Sequence, residues 1–319
     1  MRTKPSMKIA VIGAGAMGSL FAARLIDAGA EVTLVDVDER LLDALRTHGL
    51  RLEDEQGARV YWPRAVRAEQ LHGQVDVLLM LTKSHHTRQA MQASQHLLGQ
   101  QTLVVTLQNG LDSVPVLREF VADHCLAIGM TLYPADVLAP GSVRSCGAGE
   151  VRLRGLLPGP QPLGPLQALI DCVRRGGMHC IEDPDIEVSL WEKVAFNTAL
   201  NSLCALTGEN VGELGRCSRG REVALTLVAE AASIAASVGV ALDPLRVTQA
   251  VEQAFVVHAA HKPSMLQDLE HGRRMEIDAL SGALLAHARC QGVQAPAMAA
   301  IDRLLRRAQR RRTLLSVQR

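Results

Sequence analysis

Aromatic residues are scarce in this sequence, which has two Trp, two Tyr and four Phe among 319 residues. Neither sign of charge is in excess, because 34 Lys and Arg stand against 33 Asp and Glu. Proteins that bind nucleic acids usually carry a basic excess, and those that bind single strands add aromatic stacking platforms. The composition therefore argues against a nucleic-acid partner.

Long apolar runs and paired cysteines are also missing. No stretch free of charge and glycine reaches the roughly 20 residues that a membrane-spanning helix needs, so we expect no membrane association. The seven cysteines are scattered and never form C-x-x-C. Such cysteines are typical of reduced thiols in a cytoplasmic protein and offer no metal framework. Residues 1–6 are predicted to be a disordered tail.

The segment KIAVIGAGAMGSLFAARLIDAGAEVTLVD, at residues 8–36, has the pattern strand, glycine loop, helix and second strand. Gly13, Gly15 and Gly18 have G-x-G-x-x-G spacing, and Asp36 follows the second strand. In this context the glycines indicate a dinucleotide site. The first permits a tight turn, the second a close approach of the pyrophosphate, and the third close packing of helix on strand. The predicted cofactor-binding loop consists of Gly13, Ala14, Gly15, Ala16, Met17 and Gly18.

Asp36 bears on which dinucleotide binds. A carboxylate at this strand end accepts hydrogen bonds from the adenosine ribose and repels the 2′-phosphate of NADP, which usually needs an arginine nearby. The residue after Asp36 is Val37 and not an arginine. Arg40 is close enough in sequence to approach this site if the loop is flexible. Asp36 has an alternative role as the cap of the next helix, but Asp38 serves that role at least as well. These residues favour NADH.

The order of strand and helix signals changes near Pro184. Before it, apolar runs of strand length at 75–83 and 101–110 alternate with helical stretches, which predicts a mostly parallel sheet covered by helices on both faces. From Ile186 onward, apolar residues recur at helical spacing. We therefore predict two domains, at residues 7–184 and 185–319. The basic end of the chain is interpreted as a solvated last helix rather than a patch for acidic partners.

Polar residues in apolar surroundings mark one helix of the second domain. Lys193, Asn197 and Asn201 fall at i, i+4 and i+8, so they share a helix face. A solvated face would normally carry Glu, Arg or Gln, which form helices better than Asn does. The stripe is either the wall of a cleft or a structural stripe packed against loops.

A second segment, HKPSMLQDLEHGRRMEIDALSGALLAHA, carries charges beside an apolar run. Ser264 is a plausible cap for the helix that starts there. Glu276 and Asp278 follow Arg273 and Arg274. Taken alone, these residues predict only a charged helix junction.

Together these stretches resemble the ketopantoate reductase (2-dehydropantoate 2-reductase) family over almost the whole chain. IAVIGAGAMGSLFAARL is similar to its cofactor loop, and LLMLTK and TLQNGLD are similar to its other cofactor-side motifs. LWEKVAFNTALNSLCALTGENVGEL and KPSMLQDLEHGRRMEIDALSG resemble its two active-site segments. The resemblance implies an α/β fold, with an N-terminal Rossmann-type doubly wound domain, an all-α C-terminal domain and a substrate cleft between them.

The resemblance also implies an activity, the reduction of a 2-oxo acid at C2 by a nicotinamide cofactor. By motif position, Lys193 would protonate the forming alkoxide and Glu276 would hold the developing hydroxyl. The expected substrate-binding residues are Asn197, Asn201 and Ser264. The expected residues near the nicotinamide are Lys83 and Asn109. Burial would lower the pKa of Lys193 and Glu276 would raise it, and the sequence leaves that balance open.

The first function implied is 2-dehydropantoate 2-reductase of pantothenate biosynthesis, with NADPH as the family's usual cofactor. Asp36-Val37 stands where the family usually has Arg or Lys, which favours an alternative, an NAD-dependent D-2-hydroxyacid dehydrogenase acting on bulkier 2-oxo acids. Pro263, Met275 and Ser281 are further departures from the family pattern. A non-enzymatic NAD(H)-binding redox sensor would predict decay of the catalytic set, which is intact. The oligomeric state stays open, with a homodimer as one candidate.

Overall fold

The computed structural model describes residues 6–157 and 163–317, and the chain forms two compact units. The first unit comprises the residues up to Gln108 together with Ser113–Ile186. The second comprises Asn109–Asp112 and the residues from Glu187 onward. The grouping of Asn109–Asp112 with the second unit has no signal in the sequence, and the domain boundary at residues 184 and 185 stays a prediction.

The disordered tail predicted for residues 1–6 lies outside the described residues except for Ser6. The Ser6 hydroxyl donates a hydrogen bond of 2.7 Å to the carbonyl oxygen of Gly29.

The described residues contain both classes of secondary structure. The strands are β1 (Lys8–Ile12), β2 (Glu31–Val35), β3 (Leu50–Asp54), β4 (Gly57–Tyr61), β5 (Arg64–Val66), β6 (Val77–Met80), β7 (Leu103–Thr106), β8 (Leu126–Thr131), β9 (Asp136–Ala139), β10 (Ser142–Arg144), β11 (Val151–Gly155) and β12 (Cys180–Glu182). The helices are α1 (Ala16–Asp27), α2 (Glu39–His48), α3 (Thr87–Ser94), α4 (Ser113–Leu117), α5 (Leu163–Arg175), α6 (Ile186–Thr207), α7 (Val211–Arg216), α8 (Ser218–Ser237), α9 (Pro244–Val257), α10 (Ser264–Glu270), α11 (Ala283–Gln291) and α12 (Pro296–Val317). Short 3₁₀ turns occur at Ala68–Gln70, Ser84–His86, Gln95–Leu97 and Asp123–Cys125.

The first unit is built on an eight-stranded sheet in the order β12-β11-β8-β7-β6-β1-β2-β5. Neighbouring strands are parallel except β8 and β11, which are antiparallel. The chain turns back between β1 and β6, and the carboxyl ends of strands at such a switch point are where ligands of doubly wound sheets bind. The predicted doubly wound architecture is confirmed.

Both faces of this sheet are buried, which explains why its strands are continuously apolar. In β1, Ile9 and Val11 pack into one core, and Ala10 and Ile12 pack into the core on the opposite face. Successive side chains of a strand point to opposite faces, so one short strand serves both cores.

A second sheet, in the order β4-β3-β10-β9, belongs to the same unit and was not predicted. The segment LRLEDEQGARVY forms the β3–β4 hairpin, and Gly57 after the turn has a φ of 106°. Its alternation of apolar and polar residues is a strand signal, and the sequence interpretation overlooked it.

The second unit is helical and has its own apolar core. Trp191 of α6 is buried in this core, and its ring lies 5.1 Å from the ring of His287 on α11, measured between centroids. Among the helices of the described residues, none combines the length and apolarity needed to cross a membrane.

Candidate active site

The glycine loop after β1 has the close contacts that its spacing predicts. Gly13 has a φ of 99°, and a Cβ there would lie 2.8 Å from the amide nitrogen of Thr82. A Cβ on Gly18 would lie 1.8 Å from the carbonyl oxygen of Gly13, so α1 can pack on the loop only without that atom. A Cβ on Gly15 would meet nothing within 4 Å. The loop is therefore closely packed at Gly13 and Gly18 and open at Gly15, which leaves room for a pyrophosphate to approach the backbone.

Ala14, Ala16 and Met17 complete the loop and the first turn of α1. Gly15 is the N-cap of that helix, and its first turn carries no acidic residue. Backbone N–H groups at such a helix start favour a bound phosphate. The loop is thus a site that a dinucleotide fits.

The Asp36 carboxylate faces this loop. Its Oδ2 accepts a hydrogen bond of 2.7 Å from the amide of Ala14, and its Oδ1 accepts from the amides of Val37 and Asp38, at 2.7 and 3.0 Å. Of the two candidate caps for α2, the structure has Asp38, whose carboxylate accepts from the amide of Arg40 at 2.9 Å. These three backbone amides therefore fix the Asp36 carboxylate beside the glycine loop.

The nearby guanidinium of Arg67 is already engaged by acids. Its Nε donates to Glu69 at 2.8 Å, and its Nη1 lies 3.2 Å from Glu39 and 3.4 Å from the carbonyl oxygen of Val37. Three acidic residues, at positions 36, 38 and 39, are therefore among the four residues that follow β2.

Lys83 and Asn109 follow neighbouring parallel strands at their carboxyl ends. Lys83 comes three residues after β6, Asn109 three residues after β7, and both side chains are partly buried. Gln108, which directly precedes Asn109, is not among the residues predicted from the sequence. Its buried amide donates to the carbonyl oxygen of Thr82 at 2.8 Å and to the hydroxyl of Thr87 at 2.9 Å. Gln108 therefore fixes the loop that carries Lys83.

The stripe on α6 exists as predicted. Lys193 and Asn197 are partly buried, and Asn201 is only 6% exposed. Ser189, one turn before Lys193 on the same face, is also buried and was missed, although it continues the i, i+4 series backward.

Burial has a larger effect on the pKa of Lys193 than the nearby carboxylate of Glu276. Desolvation lowers the pKa of its ammonium from 10.5 to about 8, although the carboxylate of Glu276 opposes the shift. An acid with a pKa near the working pH is suited to proton transfer. The second unit thus brings Lys193 of α6 and Glu276, which lies between α10 and α11, into electrostatic contact.

Glu276 lies in the irregular segment between α10 and α11. Its side chain is 6% exposed, and a π-helical turn, Asp278–Gly282, follows it. The turn is closed by a hydrogen bond of 2.8 Å from the Gly282 amide to the Ile277 carbonyl oxygen. π-Helical turns are rare and occur frequently at functional sites.

The segment Asn109–Asp112 packs against that π-helical turn. The Leu111 amide donates to the Ala279 carbonyl oxygen at 3.2 Å. A Cβ on Gly110, whose φ is 102°, would lie 2.5 Å from the Ala279 Cβ. Asn109 is therefore anchored next to the turn that follows Glu276.

The prediction that Ser264 caps a helix is wrong. Pro263 is the N-cap of α10, with extended backbone at φ −61° and ψ 157°, and no side chain makes a capping hydrogen bond. Proline holds the extended entry conformation that a cap residue needs, so Ser264 becomes the first helical residue. Its partly buried hydroxyl is left for another role.

No group of three or more His, Cys, Asp or Glu within the described residues is arranged to hold a metal ion. The seven cysteines are all free thiols.

Comparison with known proteins identifies the family of this chain. The family model "Ketopantoate reductase PanE/ApbA" matches residues 9–156, and its C-terminal counterpart matches residues 185–309. The 2-dehydropantoate 2-reductase of Halobacterium salinarum is 31% identical over 95% of this chain and 99% of that protein. The structure of D-mandelate dehydrogenase with NADH and anilino(oxo)acetate has a TM-score of 0.91 at 30% identity, and covers 96% of this chain and 99% of its own. A ketopantoate reductase from Ralstonia eutropha JMP134 has a TM-score of 0.87 at 27% identity, with coverage of 96% and 99%. The chain belongs to the ketopantoate reductase family.

Proposed function

We propose that this protein reduces 2-dehydropantoate, a 2-oxo acid, to pantoate, with NADH as its preferred cofactor. The observation that carries the proposal is the ammonium of Lys193, partly buried on the α6 stripe with its pKa lowered to about 8 and the Glu276 carboxylate acting on it. A bound nicotinamide dinucleotide would supply the hydride that converts the C2 carbonyl into an alkoxide. Lys193 stabilises that oxygen and donates a proton to it from Nζ.

Four further polar residues of the second unit bind and orient the substrate. Glu276 accepts a hydrogen bond from the developing hydroxyl and keeps Lys193 charged. Asn197, Asn201 and Ser264 hold the substrate's carboxylate and hydroxyl groups. Neutral amides suit this role because an added cation would compete with Lys193 for Glu276.

The preference for NADH rests on the acidic surroundings of Asp36. The glycine loop, Lys83 and Asn109 would hold the parts that NADH and NADPH share. Beside the loop, however, the Asp36 carboxylate is fixed by backbone amides and Arg67 is engaged by Glu39 and Glu69. Arg40 is the residue best placed to oppose this preference, and NADPH is the alternative cofactor.

A second candidate function has its own support. Asp36 and the likeness to D-mandelate dehydrogenase bound to NADH favour an NAD-dependent D-2-hydroxyacid dehydrogenase that acts on bulkier 2-oxo acids. Pro263, Met275 and Ser281 stand where the family usually has other residues.

Initial rates separate these functions. We would measure kcat/KM for 2-dehydropantoate, 2-oxoisovalerate and benzoylformate, each with NADH and with NADPH. The highest value for 2-dehydropantoate with NADH supports the proposal, and the highest value for benzoylformate supports the second function. Tight binding of NADH without turnover of any of the three would favour the redox sensor.

The homodimer and the cytoplasmic location are also proposals. Seven free thiols are consistent with a reducing compartment. Sedimentation velocity of the purified protein distinguishes a dimer from a monomer.

A further inference from the structure

Helix α12 presents a polar face to the segment that carries Glu276. Asp302, Arg306 and Gln309 are spaced i, i+4 and i+7, so they lie on one side of the helix. Each of them contacts one residue of the segment Met275–Gly282 through its side chain.

Arg306 is the centre of these contacts. Its Nη1 lies 2.7 Å from an oxygen of Asp278, and its Nε lies 2.7 Å from Asp302, the residue one turn earlier on α12. The other Asp302 oxygen accepts a hydrogen bond of 2.9 Å from the buried hydroxyl of Ser281. A Cβ on Gly282 would lie 3.1 Å from Nη2 of Arg306, so the glycine lets the guanidinium approach. The π-helical turn is thus held at its first residue, Asp278, and at Ser281, the residue before its last.

Gln309 holds the other side of Glu276. Its side-chain oxygen accepts a hydrogen bond of 2.9 Å from the backbone amide of Met275. Glu276 therefore lies between a backbone amide fixed by Gln309 and a π-helical turn fixed by Arg306 and Asp302.

The position of Glu276 depends on these contacts from α12. A π-helical turn is rare and short, and neither α10 nor α11 extends across residues 275–277. The attraction between two charges falls with their separation, and a small displacement in an active site can cost about 100-fold in rate. Glu276 has to stay close to Lys193, and local helix geometry alone does not ensure it.

We propose that Asp302, Arg306 and Gln309 are positioning residues that hold the Glu276 carboxylate in place relative to the Lys193 ammonium. The inference rests on the proposed function only in assigning Lys193 and Glu276 to the chemistry. The positions themselves can be tested without any substrate.

The test compares Arg306→Gln and Gln309→Leu with the matched control Arg303→Gln, which removes an exposed arginine from the same helix. The chain has five lysines, so NMR of protein labelled with ¹³C at lysine Cε can follow Lys193, assigned by its absence in Lys193→Ala. We expect the titration midpoint of Lys193 to fall by up to about 1 pH unit in both test variants, because Glu276 no longer favours the ammonium. The control should keep the midpoint.

The direction of this shift separates positioning from a direct charge effect. Removing the positive charge of Arg306 would by itself raise the midpoint of Lys193, and Gln309→Leu changes no charge at all. A lower midpoint in both variants therefore reports displacement of Glu276. Arg306→Lys keeps the charge but cannot reach both carboxylates equally well, so it should give an intermediate midpoint.

Activity provides the second measurement. We expect kcat to fall about 10- to 100-fold in both test variants, with the dissociation constant for NADH unchanged. A lower melting temperature with an unchanged Lys193 midpoint and kcat would mean that α12 is merely structural, which overturns the proposal. A wild-type protein inactive on all 2-oxo acids, with the midpoint shifts still present, would refute the proposed function and leave the positioning role standing.

Should Arg306→Gln fail to fold, Ser281→Ala replaces it, because that change removes only one hydroxyl from the same network. A midpoint that stays unchanged in both Ser281→Ala and Gln309→Leu also overturns the proposal.

Discussion

The Asp36 carboxylate accepts a hydrogen bond of 2.7 Å from the amide of Ala14, which ties the acid after β2 to the glycine loop after β1. The acid therefore cannot turn away from the glycine loop without losing this bond. Val37 beside it is 73% exposed, so a longer side chain at that position would have room.

The first prediction concerns cofactor choice. We expect the double variant Asp36→Ser/Val37→Arg to reverse a preference for NADH, measured as the ratio of kcat/KM values for NADH and NADPH. A 2′-phosphate near the Asp36 carboxylate should cost about 1–3 kcal/mol after screening, or roughly 5- to 150-fold. Asp43→Asn, on the exposed face of α2, should leave the ratio unchanged. A wild-type enzyme that prefers NADPH tenfold would contradict the role given to Asp36.

The second prediction separates two glycines of the loop. Gly15→Ala should weaken binding of NADH but keep the melting temperature of the free protein, because its Cβ meets no protein atom within 4 Å. Gly18→Ala should lower the melting temperature, because its Cβ would lie 1.8 Å from the Gly13 carbonyl oxygen. Fluorescence titration and thermal unfolding measure the two effects. Equal destabilisation by both substitutions would show that Gly15 is also needed for packing.

The third prediction tests Lys193. We expect Lys193→Ala to lower kcat and kcat/KM together by about 10²–10⁴, since the ammonium acts on charge that develops in the transition state. The matched variant Lys8→Ala, at an exposed position of β1, should turn over normally. Wild-type turnover by Lys193→Ala would return the α6 stripe to a structural role.

The fourth prediction is a pH dependence. With Lys193 as the proposed proton donor, reduction requires its protonated form, and burial lowers the pKa of that ammonium to about 8. We therefore expect kcat/KM for reduction to be level below about pH 8 and to fall above it, whereas oxidation of the product, which needs the neutral amine, should rise through the same range. Stopped-assay rates between pH 6 and 10, at saturating cofactor, would measure both limbs. A profile for reduction that stays level to pH 10 would exclude Lys193 as the proton donor.

The fifth prediction concerns Glu276. Glu276→Gln removes the charge that raises the pKa of Lys193, so the alkaline limb should move to lower pH while kcat falls. The dissociation constant for NADH should stay nearly the same, because the glycine loop belongs to the first unit and Glu276 to the second. A large loss of NADH affinity would contradict this division of roles.

Local patterns were sufficient for the parts of this protein that depend on spacing along the chain. The glycine loop follows from three glycines between a strand and a helix, and the α6 stripe follows from a repeat of four residues on a helix of 3.6 residues per turn. Asp38 as the cap of α2 is equally local, since the cap bonds lie within three residues. The β3–β4 hairpin has a local signal as well, in its alternating residues.

Tertiary structure was needed wherever a property depends on residues far apart in sequence. The pKa of Lys193 reflects burial by the folded unit and a carboxylate 83 positions away, and no local pattern weighs one against the other. The direction in which Asp36 points depends on the Ala14 amide, and the support of Glu276 depends on Arg306 and Gln309 of the last helix. Desolvation and long-range hydrogen bonds arise only when the chain is packed, because they are set by distances in space and not by spacing in sequence.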